Sequence, residues 1–187
     1  MNLPNVLTIS RIVLTIVLIF LLEENSSIGN ILAVIVFTIA SLTDFYDGHL
    51  AKTRGLVSNF GKMMDPIADK VLLLSAFGVL AHTHTSMVPW WMFIVIAIRE
   101  ILVTASRLWA MRQGQVLAAE RAGKIKTVIQ IITVSAILLY LVAQQSEYCS
   151  FWFHNVQNVW FGINKVLMIL AVILTVYSGA EYFCNKK

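Results

Sequence analysis

Apolar residues in this chain come in long runs separated by short polar intervals, not in the alternation of a strand or the narrow stripe of a surface helix. Six runs can be read: Ile9–Leu22, Ile31 to beyond Asp47, Gly61–Ala81, Trp90–Met111, Thr127–Val142 and Val166–Phe183. Each approaches the roughly 20 residues a helix needs to cross a hydrocarbon core. The pattern predicts an all-α integral membrane protein with six transmembrane helices. Met1–Ser10 is mixed in polarity and holds Pro4, and is expected as a short N-terminal interfacial helix feeding the first span. Glu23–Asn30 and His82–Pro89 read as loops, Arg112–Lys126 as a basic connector, and Gln144–Asn164 as a polar, aromatic, partly interfacial stretch.

Composition sharpens this picture. Of 187 residues, 58% are hydrophobic and 13% charged, against about 25% charged in an ordinary soluble domain. No hydrophilic segment is long enough for a separate soluble domain, so residues 1–187 are read as one membrane domain. The N-terminus lacks a basic leader and a small-residue cleavage site, so a cleaved signal is not expected. Cys149 and Cys184 fall at opposite faces of the expected topology, which argues against a disulfide between them.

The net charge of +4 matters less than its placement. Lys52, Arg54, Lys62, Arg112, Arg121, Lys124, Lys126, Lys186 and Lys187 fall on one side of the expected spans. Glu23, Glu24 and Glu147 fall on the other, with Lys165 the basic exception. The positive-inside rule then puts both termini in the cytoplasm, in a multi-pass protein of the cell inner (cytoplasmic) membrane. Trp90, Trp91, Trp152 and Trp160 form an outer aromatic belt. Membrane lipid, not nucleic acid, is the expected partner.

The candidate chemistry lies between Asp44 and Asp69, on the shoulders of two apolar runs. A carboxylate near the bilayer core costs about 2.5–3.5 kcal/mol on insertion scales, and four close together also repel. Asp44 and Asp47 are three apart and share one helix face; Asp65 and Asp69, four apart, share a face of the next helix. Ala40, Gly48 and Ala51 keep the first face small, and Gly61 lies one turn before Asp65. A hairpin of the two helices can gather these oxygens around one or two hard cations, Mg²⁺ or Mn²⁺. Lys52, Arg54 and Lys62 are placed to meet phosphates. The plainer reading, helix-end aspartates paired with Lys52, Arg54 or Lys70, fits four facing carboxylates with interspersed glycines less well.

The string Asp44-x-x-Asp47-Gly48-x-x-Ala51-Lys52, then eight residues, then Gly61-x-x-x-Asp65-x-x-x-Asp69, resembles the signature of the CDP-alcohol phosphatidyltransferases. The family usually has arginine where this chain has Lys52, which keeps the charge without the planar two-pronged grip. The resemblance implies that a CDP-linked lipid donates its phosphatidyl group to an alcohol and CMP leaves. It implies Asp44, Asp47 and Asp65 as metal ligands, with Asp69 as general base and a possible fourth ligand. Gly48, Ala51 and Lys52 match CDP-binding positions; Gly61 and Asn5 are read with them. Two ions and a homodimer are also implied.

The second half carries Arg99 and Glu100 in the fourth run, Arg107 two turns on, and Lys124 and Lys126 before the fifth. Arg99, Arg107, Lys124 and Lys126 suit an anionic acceptor such as a polyol phosphate. The alternatives are an Arg99 pair with Asp69 or Glu100 and ordinary positive-inside lysines. Asn2-Leu3-Pro4-Asn5 with Thr8 and Arg11, Asp65-Pro66-Ile67-Ala68-Asp69-Lys70, Ile98-Arg99-Glu100-Ile101, Ser106-Arg107, Gly123-Lys124-Ile125-Lys126-Thr127 and Ser178-Gly179-Ala180-Glu181-Tyr182 resemble the phosphatidylglycerophosphate synthase branch. Its donor is CDP-diacylglycerol and its acceptor sn-glycerol 3-phosphate. Asn5 and Arg11 are read either as lining the head-group site or as interfacial anchors. Rival expectations are another acceptor (inositol phosphate, serine or phosphatidylglycerol) or a cation carrier. His82 and His84 read as loop histidines rather than a metal pair.

Overall fold

The computed structural model describes residues 3–54, 59–113, 121–145 and 150–184; within them 3–8, 44–54, 59–69, 111–112, 121–122 and 150–155 are described as backbone only. These residues form six helices: α1 (Leu3–Glu24), α2 (Ser27–Arg54), α3 (Asn59–Thr83), α4 (Trp90–Arg112), α5 (Arg121–Gln145) and α6 (Ser150–Cys184).

Local chemistry sets the turn between α1 and α2. Asn25 adopts a left-handed φ of 49°, which asparagine tolerates better than most side chains. Ser26 then caps α2, its Oγ accepting the Gly29 N–H at 2.9 Å, one of the donors a helix start leaves unpaired. Glycine is needed there, because a Cβ at position 29 would stand 2.8 Å from Ser26 Oγ and 3.0 Å from the Leu21 carbonyl oxygen. Gln145 closes the same end of the bundle: it accepts from Asn30 Nδ2 at 2.9 Å and donates to the Asn25 carbonyl at 3.1 Å.

Helix α3 contributes a large share of the described core. It packs on α1, α4 and α5, while α1 also packs on α2, α2 on α5, and α6 on α4 and α5. Leu72, Leu73, Ala76, Phe77, Leu80 and Ala81 of α3 are all buried. They meet a core that includes Leu18, Phe37, Ile96, Ile137 and Met168. Elsewhere the helices turn large apolar side chains outward: Phe20 is 66% exposed, Ile101 60% and Val159 64%. A helix that is apolar all round fits a lipid surrounding. Among the described residues, Gly123–Gln145 and Val156–Cys184 are long and apolar enough to cross a membrane.

Three expected boundaries are corrected. The break between an interfacial helix and the first span is absent: α1 runs unbroken from Leu3 to Glu24. Its one proline, Pro4, sits in the first turn, where a missing N–H costs nothing. The connector expected to reach Lys126 ends earlier, because α5 begins at Arg121 and Lys126 has a buried partner. The interfacial stretch before the last span is helical from Ser150, making α6 35 residues long. Edge-on packing of Trp160 against Tyr140, with ring centroids 6.2 Å apart, seats that early part of α6 on α5.

Candidate functional site

Asp44, Asp47, Gly48, Ala51 and Lys52 fall within helical backbone of α2, and Gly61, Asp65 and Asp69 within that of α3. Asn5 falls in the first turns of α1. The side chains of all nine lie outside the described residues, as do those of Arg54, Lys62, Met63 and Met64. The helical backbone does preserve the periodicity that sets Asp44 with Asp47, and Asp65 with Asp69, on shared faces.

The described part of the site begins at Lys70, immediately after Asp69. Lys70 Nζ lies 2.9 Å from Glu100 Oε2. Glu100 is only 2% exposed, and four groups from three other positions of the bundle and its own neighbour converge on it. Lys126 of α5 donates to Oε1. Arg99 Nη1 stands 3.5 Å from the same oxygen. Gln130, one turn beyond Lys126, reaches it at 3.4 Å and donates to Thr175 Oγ1 of α6 at 3.0 Å. A carboxylate held this way ties α3, α4, α5 and, through Gln130, α6 together. Breaking such a buried pair from one side is costly because it strands the other charge.

The four basic residues read from the sequence separate into two environments. Lys126 is 1% exposed and held by Glu100. Arg99 is largely buried and donates from Nη2 to Ser178 Oγ at 2.8 Å. Arg107 and Lys124 face outward more. The Arg107 guanidinium lies over the Tyr182 ring, 5.5 Å from its centroid, a cation–π geometry. Its buried Nε makes no hydrogen bond among the described residues. Gly123, on the first turn of α5, leaves space beside it: a Cβ there would stand 4.0 Å from Arg107 Nη2. Lys124 is exposed. Arg11 is 3% exposed, so the interfacial-anchor reading does not describe it. His82 lies in the last turn of α3, not in the loop expected for it, and rests its ring edge-on to Trp90; His84 lies in the following loop, where burial lowers its pKa.

Sequence reasoning missed the supporting residues Gln130 and Thr175, and named Ser178 and Tyr182 only within a family word, without a role. A signal existed: Thr175, Ser178 and Tyr182 recur at helical spacing as a polar stripe in the mostly apolar second half of α6. Glu100 and Lys70 were legible only as possible partners, not as the hub and its link to α3.

Comparison with known proteins identifies the family. A family model described as CDP-alcohol phosphatidyltransferase matches residues 1–177. A CDP-diacylglycerol–glycerol-3-phosphate 3-phosphatidyltransferase of Bacillus subtilis (strain 168) is 39% identical, covering 99% of this chain and 95% of the relative. One of the same name from Rickettsia typhi is 32% identical over 97% and 95% of the two chains. A probable phosphatidylglycerophosphate synthase of Mycobacterium tuberculosis is 34% identical over 97% of this chain and 79% of its own.

Proposed function

This chain belongs to the CDP-alcohol phosphatidyltransferase family, and from that premise we propose that it transfers the phosphatidyl group of CDP-diacylglycerol to sn-glycerol 3-phosphate. The products are phosphatidylglycerophosphate and CMP, so the enzyme serves phospholipid synthesis. The observation that carries this reading is likeness along almost the whole chain to relatives named for that reaction, coinciding with the aspartate signature from Asp44 to Asp69.

Asp44, Asp47, Asp65 and Asp69 form a donor set of hard oxygens on two helices, which suits Mg²⁺ or Mn²⁺. Two such ions, when bound, neutralise the pyrophosphate and the departing phosphate. Asp69 accepts the proton of the acceptor hydroxyl. That oxygen forms a bond to the phosphorus bearing the diacylglycerol, and the bond from this phosphorus to the CMP oxygen breaks, its electron pair leaving with CMP. Gly48 and Ala51 give the nucleotide close access to the backbone. Lys52 meets its phosphates, with Gly61 and Asn5 nearby on the CDP-lipid side.

The acceptor's phosphate is bound by the basic set of α4 and α5. Arg107 and Lys124 supply open donors, and Arg99 and Lys126 complete the positive field from positions fixed by Glu100. The six helices each span the membrane, with both termini and the aspartates on the cytoplasmic side of the inner membrane, and two copies form a homodimer. The outward apolar side chains support the membrane embedding, and the one-sided placement of lysine and arginine supports the orientation.

The test is an acceptor panel. Purified protein in detergent micelles is given CDP-diacylglycerol, Mg²⁺ and, separately, glycerol 3-phosphate, inositol phosphate, serine or phosphatidylglycerol. CMP release with glycerol 3-phosphate is expected; release only with another acceptor overturns the acceptor assignment.

A further inference from the structure

Helix α6 holds no residue of the proposed reaction, yet Arg99 and Arg107 of α4 both rest on it. Arg99 Nη2 donates to Ser178 Oγ at 2.8 Å. The stem of the same arginine crosses α6 over Gly179, where an added Cβ would stand 3.1 Å from Arg99 Cγ and 3.4 Å from its Nε. One turn on, Tyr182 is 4% exposed, its ring lying beneath the Arg107 guanidinium at 5.5 Å. The Tyr182 hydroxyl is held within 3.1 Å of Ser106 Oγ, on the residue preceding Arg107. Ser178, Gly179 and Tyr182 lie on one face of α6, and all three are buried.

We propose that Gly179 and Tyr182 are positioning residues that set Arg99 and Arg107 for the phosphate of the acceptor. The two contacts divide the task. Gly179 lets the Arg99 stem lie flat on α6, so its guanidinium is placed by backbone proximity. Tyr182 offers a fixed aromatic face under Arg107, which lowers the freedom of a long side chain while leaving its N–H groups available to an anion. An arginine set in place before the ligand arrives loses less conformational entropy on binding.

This inference rests on the acceptor reading given above. The experiment measures KM for glycerol 3-phosphate and for CDP-diacylglycerol separately, on purified full-length wild type, Gly179→Ala, Tyr182→Leu and Tyr182→Phe, each checked for its melting temperature. In Gly179→Ala and Tyr182→Leu the KM for glycerol 3-phosphate is expected to rise about ten-fold, on the scale of a lost cation–π contact or a small misplacement. The KM for CDP-diacylglycerol stays within about two-fold, the spread a remote contact leaves. Tyr182→Phe keeps the aromatic face and stays within about three-fold of wild type for the acceptor. If Gly179→Ala does not fold, the two Tyr182 variants decide alone. Equal rises in both KM values, or no rise, overturn the positioning role while leaving the reaction intact. A wild type that releases no CMP with glycerol 3-phosphate overturns both readings at once, and is told apart by that control.

Discussion

Lys70 Nζ stands 2.9 Å from Glu100 Oε2, which fastens α3, at the residue after Asp69, to the middle of α4. With Lys126 on the other oxygen, Glu100 is the only described carboxylate at this level of the bundle with cations from two other helices upon it. Glu100→Ala leaves Lys70 and Lys126 without their counter-charge. A loss of about 3–5 kcal/mol is expected, read as a lowered denaturation temperature in detergent. Glu100→Gln keeps the shape and one acceptor oxygen and is expected to lose less. Unchanged melting in Glu100→Ala would show the cluster to be energetically idle.

A second prediction separates proton transfer from binding. Asp69→Asn removes the proposed base and keeps the side chain's size. Turnover should fall by roughly 10²–10⁴-fold, while CDP-diacylglycerol still binds in equilibrium titration. Near-normal turnover would remove Asp69 from that role.

Ions enter the third. Stripping divalent cations with a chelator should abolish CMP release, and Mg²⁺ or Mn²⁺ should restore it, because an oxygen-only donor set favours such hard cations. Full activity in chelator would contradict a metal-dependent transfer.

The fourth concerns the fold alone. Gly29→Ala places a methyl group 2.8 Å from Ser26 Oγ and 3.0 Å from the Leu21 carbonyl oxygen. Thermal melts should show a loss of about 1–3 kcal/mol, as for other overpacked sites. Gly162→Ala is the contrast: nothing lies within 4 Å of its added Cβ. Placed inside α6, it should stabilise by about 0.5–1 kcal/mol.

What the chain reveals without its structure follows from how local each cause is. The helices are legible because runs such as Val71–Ala81 and Val166–Phe183 carry their own apolar signal. The aspartate signature is legible because its spacing is a property of single helices. The start of α5 is not, because Lys126 reads as a solvated cation until Glu100, on another helix, is brought against it. The start of α6 fails for a similar reason: Trp160 and Phe161 look interfacial along the chain, whereas both pack on Tyr140. The support of Arg99 by Gly179 depends on a close approach of two helices that no spacing rule encodes.

The central claim is that carboxylates of α2 and α3 hold divalent cations together. Electron paramagnetic resonance of Mn²⁺ titrated into purified protein tests it most directly, comparing wild type with Asp44→Asn and Asp65→Asn. The account predicts bound Mn²⁺ in the wild type and weakened binding in each variant, one from each helix. Wild-type Mn²⁺ binding in both variants would contradict it.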